Sequence, residues 1–182
     1  DTIVFDKTGT LTKATPTVKE IVAFSEYSEN DLLRIAACLE EHFPHSMAKA
    51  VVDAAKERHL FHEEMHSKVE YVVAHGISSS IDDKKVLIGS SHFIFEDEGC
   101  TIPSEYQDRY DSLKPEYSHL YLAIEKQLVA VICIEDPLRE EATEMVRDLK
   151  KAGIRKVVMM TGDSERTAAA IAKRVGVDEY YA

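Results

Sequence analysis

Apolar positions along the 182-residue chain change period several times, and each change marks an expected element. Thr2-Ile3-Val4-Phe5 is a short β-branched and aromatic run that predicts a strand, opening into the polar Asp6-Lys7-Thr8-Gly9-Thr10. Leu32, Ile35, Ala36 and Leu39 recur at helical spacing, and Ser28 with Asp31 three residues on is a candidate capping box, so the pattern predicts a helix over 28–41. Met47, Ala50, Val51 and Ala54 predict a second helix over 46–58. From Lys68 to Gly89 the pattern turns to strands. Val69–Val73, Ile77–Ile81 and Val86–Ile88 read as a meander with Asp82-Asp83 at a turn. Gly99, Pro103 and Pro115 among charged residues predict a loop around a short helix over 96–118. Leu120–Ile124 and Leu128–Ile134 then predict a hairpin about Glu125-Lys126-Gln127.

Beyond Asp136 the pattern becomes strand–loop–helix. Pro137 is expected to open a helix carrying Leu138, Ala142, Met145, Val146 and Leu149, with Gly153 as its stop. Val157–Met160 predicts a buried strand, Thr161-Gly162-Asp163 a loop, and Ser164–Val175 a helix ended by Gly176. This repetition predicts a parallel α/β sheet that the opening strand joins. The expected organisation is therefore one α/β domain from residues 1–13 and 129–182, interrupted by an α+β domain over 14–128.

Charge and composition narrow the partners. The 22 Lys and Arg against 33 Asp and Glu leave a net charge of −11, which argues against nucleic-acid binding through phosphate neutralisation but permits binding of a nucleotide. The longest apolar run, Leu128–Ile134, has seven residues, far short of the ~20 a membrane helix needs. Cys38, Cys100 and Cys133 form no CxxC pair and read as reduced, mostly buried small hydrophobes. No basic-then-apolar leader opens the chain, and a strand beginning almost at residue 1 suggests a piece of something longer.

Ligands of open parallel sheets collect at the carboxyl ends of the strands. Two such ends carry polar residues here, Asp6-Lys7-Thr8-Gly9-Thr10 and Thr161-Gly162-Asp163. A carboxylate at a strand end, followed by a glycine turn with free amides and a lysine, suits in-line attack on phosphorus. Asp6-Lys7-Thr8-Gly9-Thr10-Leu11-Thr12 resembles the P-type ATPase phosphorylation motif over seven consecutive positions. A chance match of that length in such a chain is on the order of 10⁻⁷.

The resemblance implies a haloacid dehalogenase-like parallel sheet, forming a partial phosphorylation domain, with an inserted nucleotide-binding domain of antiparallel sheet and flanking helices. It implies Asp6 as the nucleophile phosphorylated by ATP, Lys7 on the phosphate, and Asp6 with the Thr8 carbonyl on Mg²⁺. Asp136-Pro137-Leu138-Arg139 is similar to the family's DxxR segment. Thr161-Gly162-Asp163 is similar to its TGD loop, with the Thr161 hydroxyl on the phosphate. The rival is a haloacid dehalogenase-type phosphatase with a cap domain. Such enzymes carry a second Asp two residues after the nucleophile, where this chain has Thr8, which does not titrate near neutral pH.

Glu40 and, five residues on, His45 resemble the adenine-binding pair of heavy-metal-transporting P-type ATPases, with Ser46 where the family has Pro. Gly76-Ile77 matches the second half of the family's GxG-Ile segment, with Ala74 for its first Gly. Gly89 matches a strand-turn glycine, with Ser90 where Asn is common. The resemblance thus implies nucleotide binding by Glu40, His45, Gly76, Ile77 and Gly89, and a membrane and a transported metal cation as partners only through segments this chain does not contain. The family's later Lys and its GDGxND segment are expected after Ala182, so weak nucleotide binding with little autophosphorylation is expected of these 182 residues alone; a non-catalytic nucleotide-binding module is the third reading. His62-Glu63-Glu64-Met65-His66 satisfies the HExxH zinc pattern, but the helical periodicity ends near Leu60 and strand residues begin by Val69, so a solvated connector is expected there.

Overall fold

A computed structural model describes residues 1–60, 70–72 and 76–182. Along the chain run β1 (Thr2–Asp6), β2 (Thr17–Ala23), α1 (Glu29–Glu40), α2 (Ser46–Glu57), β3 (Glu70–Val72), β4 (Gly76–Ile81), β5 (Lys84–Gly89) and α3 (Gln107–Asp111). They are followed by β6 (Ser118–Ile124), β7 (Gln127–Glu135), α4 (Ala142–Lys151), β8 (Lys156–Met160), α5 (Glu165–Val175) and β9 (Glu179–Tyr181). The elements fall into two units: Asp1–Pro16, Lys114–Ser118 and Glu135–Ala182 in the first, Thr17–Leu113 and His119–Ile134 in the second.

The first unit is built on a parallel sheet of order β1-β8-β9. Leu11, Val146, Val157, Met159, Ala168 and Ile171 form its core, with α4 and α5 contributing the helical side. The opposite face carries exposed Val4 (54%), Met160 (50%) and Tyr181 (60%). The α5 helix starts where Ser164 accepts a hydrogen bond from the Thr167 amide, and it ends at Gly176, whose φ of +87° is the left-handed conformation a glycine adopts without a Cβ penalty. Strand β9 has no counterpart among the expected elements; three residues of Glu-Tyr-Tyr carry too little periodicity to announce a strand.

The expected helix at Pro137 starts later, at Ala142. Residues 136–139 are occupied otherwise. The Asp136 carboxylate accepts from the Thr12 hydroxyl (2.5 Å) and the Thr15 amide (3.0 Å), and the Pro137 carbonyl accepts from the Lys13 amide. Arg139 donates through its side chain to the Gly9 and Thr10 carbonyls and through its amide to Leu11 O. These long-range bonds outweigh the helix-opening preference of one proline.

The second unit is a six-stranded sheet of order β2-β7-β6-β5-β4-β3, in which β3 to β6 pair antiparallel. Helices α1 and α2 cover one face through Leu32, Leu33, Leu39 and Val51, packed on Ile77 and Leu122. Edge-to-face contacts among Phe24, Phe95, Tyr106, Tyr110 and Tyr121 consolidate another part of the unit. Strand β2 was not among the expected elements, because Lys19 and Glu20 interrupt its apolar alternation. The expected 128/129 boundary also moves: β7 is one nine-residue strand, and residues through Ile134 stay in its sheet. Its hairpin with β6 turns on two residues, Glu125 (φ +50°) and Lys126 (φ +68°), not three. Cys38, Cys100 and Cys133 are all buried. Of the described residues, no helix is long and apolar enough to cross a membrane. His62–His66 and Ala74 lie outside the described residues.

Candidate functional site

Parallel pairing sets the first cluster. Asp6 is the last residue of β1 and stands in register with Met160, the last residue of β8, so the two strands deliver Asp6 and the Thr161-Gly162-Asp163 loop to one sheet edge. Asp6 is exposed, and its carboxylate engages no described side chain, which leaves both oxygens available to a ligand. The chain leaves β1 through a turn in which Gly9 sits at φ +80°, held from behind by the Gly9 amide donating to the Thr12 hydroxyl (3.1 Å). Thr12 in turn donates to Asp136. Thr8 and Gly9 are exposed on this turn.

Lys7, next to Asp6, is only 6% exposed, and its ammonium lies 2.5 Å from Asp163 Oδ2. A lysine buried without an anion costs several kcal/mol, about 3–5 when one partner of a buried pair is removed, so Asp163 accounts for the charged Lys7 beside Asp6. The other Asp163 oxygen accepts from the Ser118 hydroxyl (3.2 Å), and the Asp163 amide donates to Thr161 Oγ1 (3.1 Å). The Thr161 hydroxyl therefore uses a lone pair on its own loop and keeps its proton for another acceptor. A Cβ built on Gly162 would meet nothing within 4 Å, so the backbone there faces open space. All six residues expected in phosphoryl chemistry, Asp6, Lys7, Thr8, Thr161, Gly162 and Asp163, belong to this unit.

Mg²⁺ prefers hard oxygen ligands and takes few of them from a protein. The unengaged Asp6 carboxylate and the exposed turn at Thr8 are a donor set of that kind.

The second unit holds the other cluster. Glu40 closes α1 with 2% exposure, and His45 caps α2. His45 Nδ1 accepts from the Ala48 amide at 3.3 Å, while Nε2 lies 2.9 Å from Glu40 Oε2. The hydrogen bond to Glu40 is the largest cause raising the His45 pKa above its ordinary 6.5; burial lowers it, and the Glu40 charge raises it further. Ser46 thus follows the cap as the first helical residue, and the imidazole of His45 does the capping. Gly76 and Gly89 face each other across β4 and β5. A Cβ at Gly76 would stand 2.4 Å from Phe93 Cδ1 and 2.5 Å from the Ile88 carbonyl, so this position has no room for a side chain. The Ile77 side chain is buried in the core beneath α1 and α2, which leaves its backbone as the part able to meet a ligand.

Thr12, Asp136, Arg139 and Ser118 support the first cluster without having been assigned a role from the sequence. Asp136 and Arg139 were visible only as a motif segment. Ser118 carried no signal, since its partner Asp163 is 45 residues away.

Comparison with known proteins places these clusters in context. The chain is 34% identical over 183 aligned residues to the Copper-transporting ATPase 2 of Rhizobium meliloti (strain 1021), covering 100% of this chain and 22% of that protein. A crystal structure of a zinc-transporting PIB-type ATPase in the E2.Pi state superposes with a TM-score of 0.68 at 29% identity, over 98% of this chain and 28% of that one. The catalytic domain of the CPx-ATPase CopB-B, described for its conformational changes upon nucleotide binding, superposes with a TM-score of 0.69 at 25% identity, over 100% of this chain and 60% of that one. The chain spans between 21% and 25% of the length of eight such relatives, each named as a metal-transporting or metal-exporting ATPase. The haloacid dehalogenase-like hydrolase profile matches residues 1–182, the full length that carries the parallel β1-β8-β9 sheet and the carboxylate at its edge; the chain belongs to the haloacid dehalogenase-like hydrolase family.

Proposed function

We propose that this chain is the ATP-binding and phosphorylation region of a heavy-metal-transporting P-type ATPase, lying on the cytoplasmic side of a membrane protein. The observation that carries the reading is the edge of the first unit, where an unengaged Asp6 carboxylate stands beside a buried, charged Lys7 and the Thr161-Gly162-Asp163 loop. The relatives' names include copper, manganese, zinc and silver, so the proposal goes as far as a transition-metal cation and not to one metal.

In the proposed reaction an Asp6 oxygen attacks the γ-phosphorus of ATP as the bond from that phosphorus to the β,γ-bridging oxygen breaks. ADP leaves with that oxygen, and the phosphoryl group remains on Asp6 as an acyl phosphate. Lys7 and the Thr161 hydroxyl offset charge on the transferring oxygens, and the backbone about Gly162 admits them closely. Asp6 and the Thr8 carbonyl would hold Mg²⁺, which supplies neutralisation of phosphate charge when bound. Thr8 stands where a phosphatase keeps its general base. Nothing on that side chain activates water near neutral pH, which favours a phosphoenzyme that persists. Glu40, His45, Gly76, Gly89 and the Ile77 backbone are proposed to receive the adenine; the partly exposed imidazole edge of His45, held by the buried Glu40, supports this.

The test is incubation of the complete polypeptide carrying this region with γ-labelled ATP and Mg²⁺. Acid-stable, hydroxylamine-labile label is expected on Asp6, and none in Asp6→Asn. Label that survives Asp6→Asn would refute the assignment.

A further inference from the structure

We propose that Ser118 is a positioning residue for phosphoryl transfer, acting through Asp163 on Lys7; the inference rests on the function proposed above. Asp163 is the junction of three contacts. Its Oδ2 meets the Lys7 ammonium at 2.5 Å, its Oδ1 accepts from the Ser118 hydroxyl at 3.2 Å, and its amide donates to Thr161 Oγ1 at 3.1 Å. A carboxylate held at one oxygen can still turn about its terminal side-chain bond. A donor on the second oxygen fixes the plane, and with it the place of the ammonium that the first oxygen holds.

Ser118 is itself anchored. The neighbouring Tyr117 carbonyl accepts from the Thr167 hydroxyl at 3.1 Å, and Thr167 is 4% exposed in the first turn of α5, where its amide bonds to Ser164 Oγ. Residues Lys114–Ser118 group with the first unit, although the chain on either side of them belongs to the second. The segment therefore grips the loop after β8 at Asp163 and the helix that follows at Thr167. Only the first grip leads to a group proposed to touch the phosphoryl oxygens. Lys7 is nearly inaccessible to solvent, so water is a poor substitute for a misplaced carboxylate and an error in Asp163 is passed to the ammonium beside Asp6.

The experiment measures phosphoenzyme formation from γ-labelled ATP at saturating nucleotide in the complete polypeptide, alongside its ATP affinity. Ser118→Ala is expected to slow formation about tenfold, the effect of losing one hydrogen bond to a charged group, with ATP affinity unchanged. Ser118→Thr, which keeps the hydroxyl, is expected to restore the rate, and an unchanged melting temperature of Ser118→Ala separates positioning from unfolding. In an Asp163→Ala background, Ser118→Ala is expected to add nothing, because its route to Lys7 is gone. A Ser118→Ala rate equal to the unsubstituted rate, failure of Ser118→Thr to restore it, or an equal loss in both backgrounds overturns the inference and leaves the proposed function standing. Absence of label in the unsubstituted protein overturns the function, and the inference with it.

Discussion

His45 shows how one residue can serve two elements and be tuned by both. Its Nδ1 caps α2 by accepting from Ala48, which requires that nitrogen to be unprotonated, while Nε2 faces the buried Glu40. The neutral form with hydrogen on Nε2 satisfies both contacts. Protonation gives up the longer cap at 3.3 Å and makes the 2.9 Å contact a full ion pair, and the Glu40 hydrogen bond, as the largest cause, raises the pKa above 6.5. A raised folded-state pKa contributes stability that is fully present below the unfolded value and is lost as pH rises through the folded value. The urea midpoint of the chain is therefore expected to fall as pH rises from the ordinary histidine value through the raised one, in a step that Glu40→Gln removes. ¹⁵N shifts of the His45 ring at the alkaline end are expected to report hydrogen on Nε2; hydrogen on Nδ1 would contradict the cap.

At the scale of elements, Gly76 matters because two strands and a helical turn meet over it. Its counterpart across β5 is also glycine, and Phe93 lies in the space a methyl would need. Phe93 can rotate, but the Ile88 carbonyl belongs to the paired strand and cannot yield without breaking the ladder. Gly76→Ala is expected to cost about 1–3 kcal/mol, read as a lower denaturation midpoint; an unchanged midpoint would show that the strand relaxes freely. The resemblance singled out this glycine for nucleotide binding, yet its crowding was not legible, since Phe93 meets it only through the β4-β5 pairing. The same holds for elements that local pattern misreported. Strand β2 carries Lys19 and Glu20 at positions where alternation alone reads loop, and β9 is three residues long. The α4 helix starts five residues after Pro137, because Asp136 and Arg139 bind backbone and hydroxyl groups more than 120 residues earlier in the chain.

Over the whole molecule the two units differ in how fully their sheets are enclosed. Among the described residues the second has six strands, a helical layer and an aromatic cluster. The first has three parallel strands, with Val4, Met160 and Tyr181 open on one face. Parallel sheets draw their stability from burial on both faces, so the first unit is expected to open first. Amide hydrogen exchange is expected to release Val4 and Val158 before Ile77 and Leu122, with separate protection levels for the two groups. Coincident exchange of all four would mean one cooperative unit.

Local sequence determined what depends on nearest neighbours along the chain. The capped α1 helix with Leu32 and Leu39 inward, the β1 strand, and the seven-residue motif from Asp6 to Thr12 were all present in spacing and residue type. The tertiary structure alone decided which distant groups complete them. Lys7 is buried against a carboxylate because Asp163 arrives on β8's loop 156 residues later, Asp163 accepts a hydrogen bond from Ser118, and the turn after β1 is braced by Asp136 and Arg139. These contacts close over long stretches of chain, where no periodicity extends, and their geometry exists only once the parallel register of β1 and β8 has been formed.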